Sequence, residues 1–287
     1  MRVANRTAFE MVKYNLARVS DELNQANMIV STGKRINTPS DDPIGLVQAL
    51  KIRSDLAGID QLKRNINQGH SWLGATENAL GNVQDQISEA MSLAVRMATA
   101  TTGADARAAG ATIVQNLMDE ILSLANTQIG GRFIFAGSKT DTRPFNAIGT
   151  YSGDTSPFNI KISATETVAV GSDGSAVFGN IFANLIAFRD ALAGNNVSGI
   201  QAAIDSMDTD FTNISTSVSN VGSKVNRMKT KESIMQDLEI IKGDRLSKIE
   251  DADLAEAITN LKAKELAYQA ALTSSARVMK LSLVDYV

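Results

Sequence analysis

All four prolines of this 287-residue chain fall in two places, Pro39 and Pro43 in one, Pro144 and Pro157 in the other. Proline lacks an amide hydrogen and its ring clashes with the preceding helical turn, so these places break any helix and the rest of the chain is free to be one. Outside them apolar residues recur in steps of three and four. Phe9, Val12, Leu16, Val19, Leu23, Ala26 and Val30 make a first seam. A second, longer one runs from Ile52 and Ile59 through Ile66, Leu73, Leu80 and Ile87 to Met97, and a third from Ile204 through Phe211 and Val218 to Met228. A fourth runs from Ile258 and Leu261 through Tyr268 and Leu272 to Met279. Spacing held over such lengths predicts helices laid along other helices in the manner of a coiled coil.

The breaks carry chemistry of their own. In the stretch STGKRINTPSDDPIGL, Gly33 can take the left-handed conformation that closes a helix, and Lys34 and Arg35 complement the negative end it leaves. Asp41 and Asp42 could be imagined as a catalytic or metal-binding pair, but capping explains them more simply. Asp42 accepts orphan amides, and Pro43, which has none, takes the first helical position. A polar interval, TATTGADARAAG, turns the chain into a third helix marked by Ile113, Leu117, Ile121 and Leu124, expected to end near Gly130 and Gly131. From Arg132 to Gly179 glycine and proline crowd around RFIF, NIKIS and TVAV, the pattern of a strand-and-turn insert. Helix resumes at Ile181.

These readings give a mainly α fold. It is an elongated, coiled-coil-like helical rod built from both ends of the chain, with a small β-rich insert at its tip. Residues 1–42 and 253–287 are expected to be terminal helices, 43–131 and 180–252 the rod body, and 132–179 an outer insert. The middle seams bury against each other, whereas the terminal ones are expected to fold against neighbouring molecules as well as each other.

Several functions are excluded by what is missing. A net charge of −3 supplies no basic field for nucleic acid or an anionic membrane surface. There is no cysteine for a disulfide or thiolate zinc site, and His70 has no second imidazole with which to hold a metal. GRFIFAGSK fails the spacing of a phosphate loop, and no G-x-S-x-G elbow occurs. Neither a cofactor nor an active site is expected, so the chain reads as no enzyme. The polar N-terminus, MRVANRTAFEMVKYNL, is unlike a cleaved signal peptide, and no uninterrupted apolar run approaches the roughly 20 residues that span a bilayer.

The residues also carry a resemblance. Ser31 to Pro43, with Gly33, Lys34, Arg35, Ile36, Asn37, Asp41, Asp42 and Pro43, resembles the N-terminal signature of bacterial flagellins and their relatives. NINQGHSWLGATENAL and LAVRMATATTGADARAA are similar to the segments that follow it in that family, and DADLAEAITNLKAKELAYQAAL to the closing helix. GRFIFAGSKTDTRPF with YSGD after it, and the ending SLVDYV, resemble the branch at the junction of hook and filament.

This resemblance implies a structural axial component of the bacterial flagellum that joins the hook region to the flagellin filament. It would lie outside the cell, exported by the flagellar type III system without a cleaved signal peptide. Implied partners are the preceding hook-associated junction protein, flagellin, further copies of itself in a ring, and a flagellar export chaperone at the C-terminal helix. The assembly seam would be Phe9, Val12, Leu16, Val19, Leu23 and Val30 with Leu261, Tyr268, Leu272 and Met279. Gly33, Lys34, Arg35, Asp41, Asp42 and Pro43 would form the connector to the body. Its rivals are a filament flagellin and, from another class, a cytosolic coiled-coil adaptor or signalling protein.

Overall fold

A computed structural model describes residues 2–284, with side chains at position 7 and from 9 to 277. In chain order the elements are α1 (Arg2–Thr32), α2 (Pro43–Met97), α3 (Ala104–Ala125), β1 (Gln128–Ile129), β2 (Arg132–Phe133), β3 (Asn159–Lys161), β4 (Thr167–Ala169), α4 (Gly174–Phe178), α5 (Ile181–Ala193), α6 (Val197–Glu250) and α7 (Leu254–Val284). Among the described residues the fold is mainly α, with long helices and two small antiparallel hairpins. The chain divides into two compact units. One holds residues up to 58 together with those from 238 onward, and the other holds residues 59–237.

The second unit is built on the two middle seams. Leu73, Leu80, Val83 and Ile87 from α2 are fully buried in one hydrophobic core with Met207, Ile214, Val221 and Met228 from α6. Leu117 and Ile121 of α3, with Leu185 and Phe188 of α5, join the same core, and α3 packs along α5. Ile113, expected on the buried stripe of α3, is exposed, and its neighbour Val114 is the buried residue.

One expectation for this unit is corrected. The third helix ends at Ala125, not near Gly130 and Gly131. Asn126 caps it by donating Nδ2 to Leu122 O at 2.8 Å, and the two glycines instead turn the β1–β2 hairpin with φ of 56° and 79°. A two-residue hairpin loop with both φ values positive is the mirror-image turn whose twist matches the strands, and glycine takes it freely. Residues of the insert pack into the same core. Phe135, Phe145, Ile160, Ile162, Val168 and Phe178 are buried in the core that α2 and α6 share. Phe178 meets Phe135 edge-on at 5.0 Å between ring centroids and Phe145 at 5.2 Å. At the turn after β3, Glu166 takes Arg227 at 2.5 Å and Lys231 at 2.7 Å, tying the β3–β4 hairpin to α6.

The most apolar stretch, Gly174–Ala193, is interrupted at Gly179 between α4 and α5. It places Phe178, Ile181, Leu185 and Phe188 in the core, which accounts for its composition without a membrane. Arg107 is buried beside the turn after α2. It donates Nε to Met97 O and Nη2 to Thr99 O, both at 2.9 Å, and Nη1 to Asn195 Oδ1 at 2.5 Å. The guanidinium therefore sits at the negative end of α2 and holds three acceptors, two of them main-chain carbonyls there.

Candidate assembly site

The first unit carries the terminal helices and the connector. α1 and α7 pack along each other. On α1 the residues turned inward are Val12, Leu16, Val19, Leu23 and Val30, each half-buried, with Ala26 buried; Phe9, at the outer end of the seam, is exposed. On α7 the inward stripe is Ala257, Leu261, Lys264, Tyr268, Ala271 and Ser275. These six alternate in steps of four and three, the heptad spacing. Lys264 reaches Glu22 of α1 at 2.7 Å, and that bond holds the Glu22 carboxyl below its ordinary range.

The fourth seam therefore follows a different track from the one its large residues suggested. Leu261 and Tyr268 lie on it, but Ile258 and Leu272 are exposed to one side. The side chain of Met279 and the closing Asp285 and Tyr286 lie outside what is described. Sequence reasoning followed bulk, and on α7 the seam is carried largely by Ala257, Ala271 and Ser275. Small residues at regular spacing were the signal that could have revealed it.

The connector is closely bonded. α1 closes at Gly33, whose φ is 69° and whose amide returns to Ile29 O at 2.9 Å. Asp41 Oδ2 accepts the amides of Thr38 at 2.7 Å and Asn37 at 3.0 Å, and these bonds lower its carboxyl from the ordinary value. Gln25 of α1 donates to the other oxygen at 3.2 Å. Asp42 Oδ1 accepts Gly45 N at 2.8 Å, so it caps α2, which begins at Pro43. Arg35 donates to Ile249 O at 2.9 Å and lies 3.7 Å from Asp42.

Lys34 leads to a residue that sequence reasoning missed. Its Nζ is 2.9 Å from Glu250 Oε2, and Arg53 Nη2 of α2 is 2.6 Å from the same oxygen. Burial pushes the Glu250 carboxyl up, but the bonds from Lys34 and Arg53 outweigh it, and the net shift is downward. The main chains are stitched there too, Arg35 N to Glu250 O at 2.6 Å and Ala252 N to Gly33 O at 2.9 Å. Lys34, Arg35, Gly33, Asp41, Asp42 and Pro43 are thus brought together in one small region.

The outside of this unit is apolar in places where a self-contained surface would be polar. Among the described residues, most of the exposed large apolar side chains of the molecule lie here. Tyr14 is 71% exposed on α1, Ile44 and Val47 are 72% and 67% exposed on the first turns of α2, and Ile240 and Leu266 are similarly open. The second unit, although longer, exposes few by comparison, among them Val95 and Ile113. Exposed large apolar side chains are thus concentrated in the first unit. Among the described residues no cluster of three or more histidine or acidic side chains is placed to hold a metal ion.

The sequence matches the family models of the bacterial flagellin N-terminal helical region over residues 4–140 and the bacterial flagellin C-terminal helical region over residues 204–287. The chain belongs to the flagellin family. Within that family it is similar to flagellar hook-associated protein 3 of Salmonella typhimurium, 26% identical over 99% of this chain and 98% of the other. Flagellin 1 of Proteus mirabilis is 29% identical but matches 55% of this chain and 43% of its own. Among solved structures, a flagellar hook-associated protein from Vibrio parahaemolyticus shares the fold, with a TM-score of 0.69 at 19% identity over 74% of this chain and all of that one. The flagellin-family match spans the connector and both terminal helices, and leaves unmatched the stretch between residues 140 and 204.

Proposed function

We propose that this flagellin-family chain is a structural axial component of the bacterial flagellum that joins the hook region to the flagellin filament and assembles through its terminal helices. The observation that carries this reading is the end-to-end similarity to a hook-associated protein 3, where flagellin similarity covers about half of each chain. The exposed apolar residues of the first unit support it physically. Covering such surface against a neighbour is favourable by about 25 cal/mol per Å².

In this reading Phe9, Val12, Leu16, Val19, Leu23 and Val30 with Leu261, Tyr268, Leu272 and Met279 form the assembly seam, and Gly33, Lys34, Arg35, Asp41, Asp42 and Pro43 the connector. Residues 1–42 and 253–287 act as terminal helices of the tube core, 43–131 and 180–252 as the body, and 132–179 as the outer part. The partners are the preceding hook-associated protein, the first flagellin subunits and further copies of the chain in a ring. A flagellar export chaperone takes the C-terminal helix, and the chain leaves the cell through the flagellar type III system as a structural protein, not an enzyme.

Immunogold labelling of isolated flagella with an antibody to this chain tests the reading. Label confined to the hook–filament boundary is expected. Label along the whole filament would make the chain a filament flagellin instead.

A further inference from the structure

Glu250 occupies a position that nothing in its own helix favours. It is the last residue of α6, where the helix dipole is negative and a carboxylate is repelled, and its side chain is 4% exposed. Both features disfavour the charge. They are offset by two cations from different segments, Lys34 of the connector and Arg53 of α2, which converge on one oxygen. A buried carboxylate that joins three segments at a cost to its own helix contributes more to fixing one arrangement than to raw stability.

The surroundings agree. Lys34 and Asp251 form an antiparallel bridge, so the connector after α1 and the link before α7 cross at this point. The link is only Asp251 to Asp253, and the connector begins with Gly33 in the left-handed region. α1 and α7, by contrast, are held together elsewhere, by their own seam and by Lys264 with Glu22. We infer that Glu250, gripped by Lys34 and Arg53, is a latch that fixes the direction in which the α1–α7 pair leaves α2, and that opening it lets the pair turn as one body about the two crossing links. The latch depends only on the contacts within this unit and is independent of where in the flagellum the chain acts.

The absence of cysteine makes a direct test simple. Spin labels are placed on the full chain at exposed positions, Asp21→Cys on α1 with Gln48→Cys on α2 as one pair, and Asp21→Cys with Asn260→Cys on α7 as the other. Double electron–electron resonance should give a single narrow distance for both pairs in the otherwise unaltered chain. Glu250→Gln, which keeps the shape and removes the charge, should lose the narrow α1–α2 distance and keep the narrow α1–α7 distance. A narrow α1–α2 distance in Glu250→Gln overturns the latch, and so does an α1–α2 distance already broad before the substitution. Equal broadening of both pairs also overturns it, because the residue would then simply hold the terminal helices together. Should Glu250→Gln fail to fold, Lys34→Gln disturbs the connector while leaving Arg53 on the carboxylate. It must broaden the α1–α2 distance by itself, and a narrow one overturns the proposal.

Discussion

At the scale of single residues, Asp210 on α6 shows how burial sets chemistry. It is 5% exposed, and Asn184 of α5 donates to its Oδ2 at 2.7 Å. Burial raises its carboxyl above the ordinary value, and the Asn184 bond opposes this only in part. The folded chain therefore holds this proton more tightly than the unfolded chain. Its contribution to stability is fully present below the unfolded carboxylate value and is lost as pH rises through the folded one. Asp210→Asn is permanently neutral and nearly the same shape, so at pH 7 it is expected to melt higher than the unaltered chain. The gap should shrink as the pH is lowered into the carboxylate range. Melting followed by circular dichroism across that range checks it, and a gap that does not change with pH would contradict the account. Neither this residue nor Arg107 was legible in the sequence. The partners of Arg107 include the carbonyls of Met97 and Thr99, which any residue would supply, and Asp210 lies between seam residues Met207 and Phe211 in a helix otherwise read by its apolar positions.

At the scale of elements, proline and glycine punctuation located the breaks well because they act locally. Gly33 closes α1 in the left-handed conformation that glycine alone takes without strain, and Pro43 opens α2 with a φ that its ring fixes. The faces of the helices were less legible. Apolar spacing placed the α1 seam from Val12 to Val30 on the inward side, yet on α7 it chose Ile258 and Leu272 over Ala257 and Ala271. The reason is physical: two helices that approach closely are served by small residues, which a count of large side chains passes over. The two tracks give opposite expectations on substitution. Leu261→Ala removes a half-buried side chain from the α1–α7 seam and should lower protection of α1 and α7 amides, by about 1–2 kcal/mol in opening free energy. Leu272→Asp, on the exposed side, should change it by no more than about 0.5 kcal/mol in the isolated chain. The same Leu272→Asp chain should nevertheless fail to support filament growth, since a charge placed among neighbouring helices lacks a partner. Native-state hydrogen exchange and a swimming assay together separate the two tracks, and full motility with Leu272→Asp would remove Leu272 from the assembly seam.

At the scale of the whole molecule, the sequence marked where the insert begins and ends but not which core it serves. Its strands are two or three residues long, too short for alternation to show that Ile160, Ile162, Val168 and Val170 turn inward. Composition suggested an outer insert, and burial shows that it also contributes to the core of the second unit. The distinction decides what a deletion does. Replacing residues 138–177 with a short flexible linker removes Phe145, Ile160, Ile162, Val168 and Val170, each buried in that core. At about 1.5–3 kcal/mol per buried side chain their loss amounts to roughly 10 kcal/mol. That is comparable with the whole stability of a domain, about 5–15 kcal/mol. It would also bare core faces of α2 and α6 to water. The deletion is therefore expected to abolish cooperative melting of the second unit. Removing residues 1–32 and 254–287 should leave that melting intact, because α1 and α7 bury their seams against each other within the first unit. Calorimetry on the two truncated chains is the measurement. A sharp, unshifted transition in the chain lacking residues 138–177 would show that the helices of the second unit make a sufficient core without the insert.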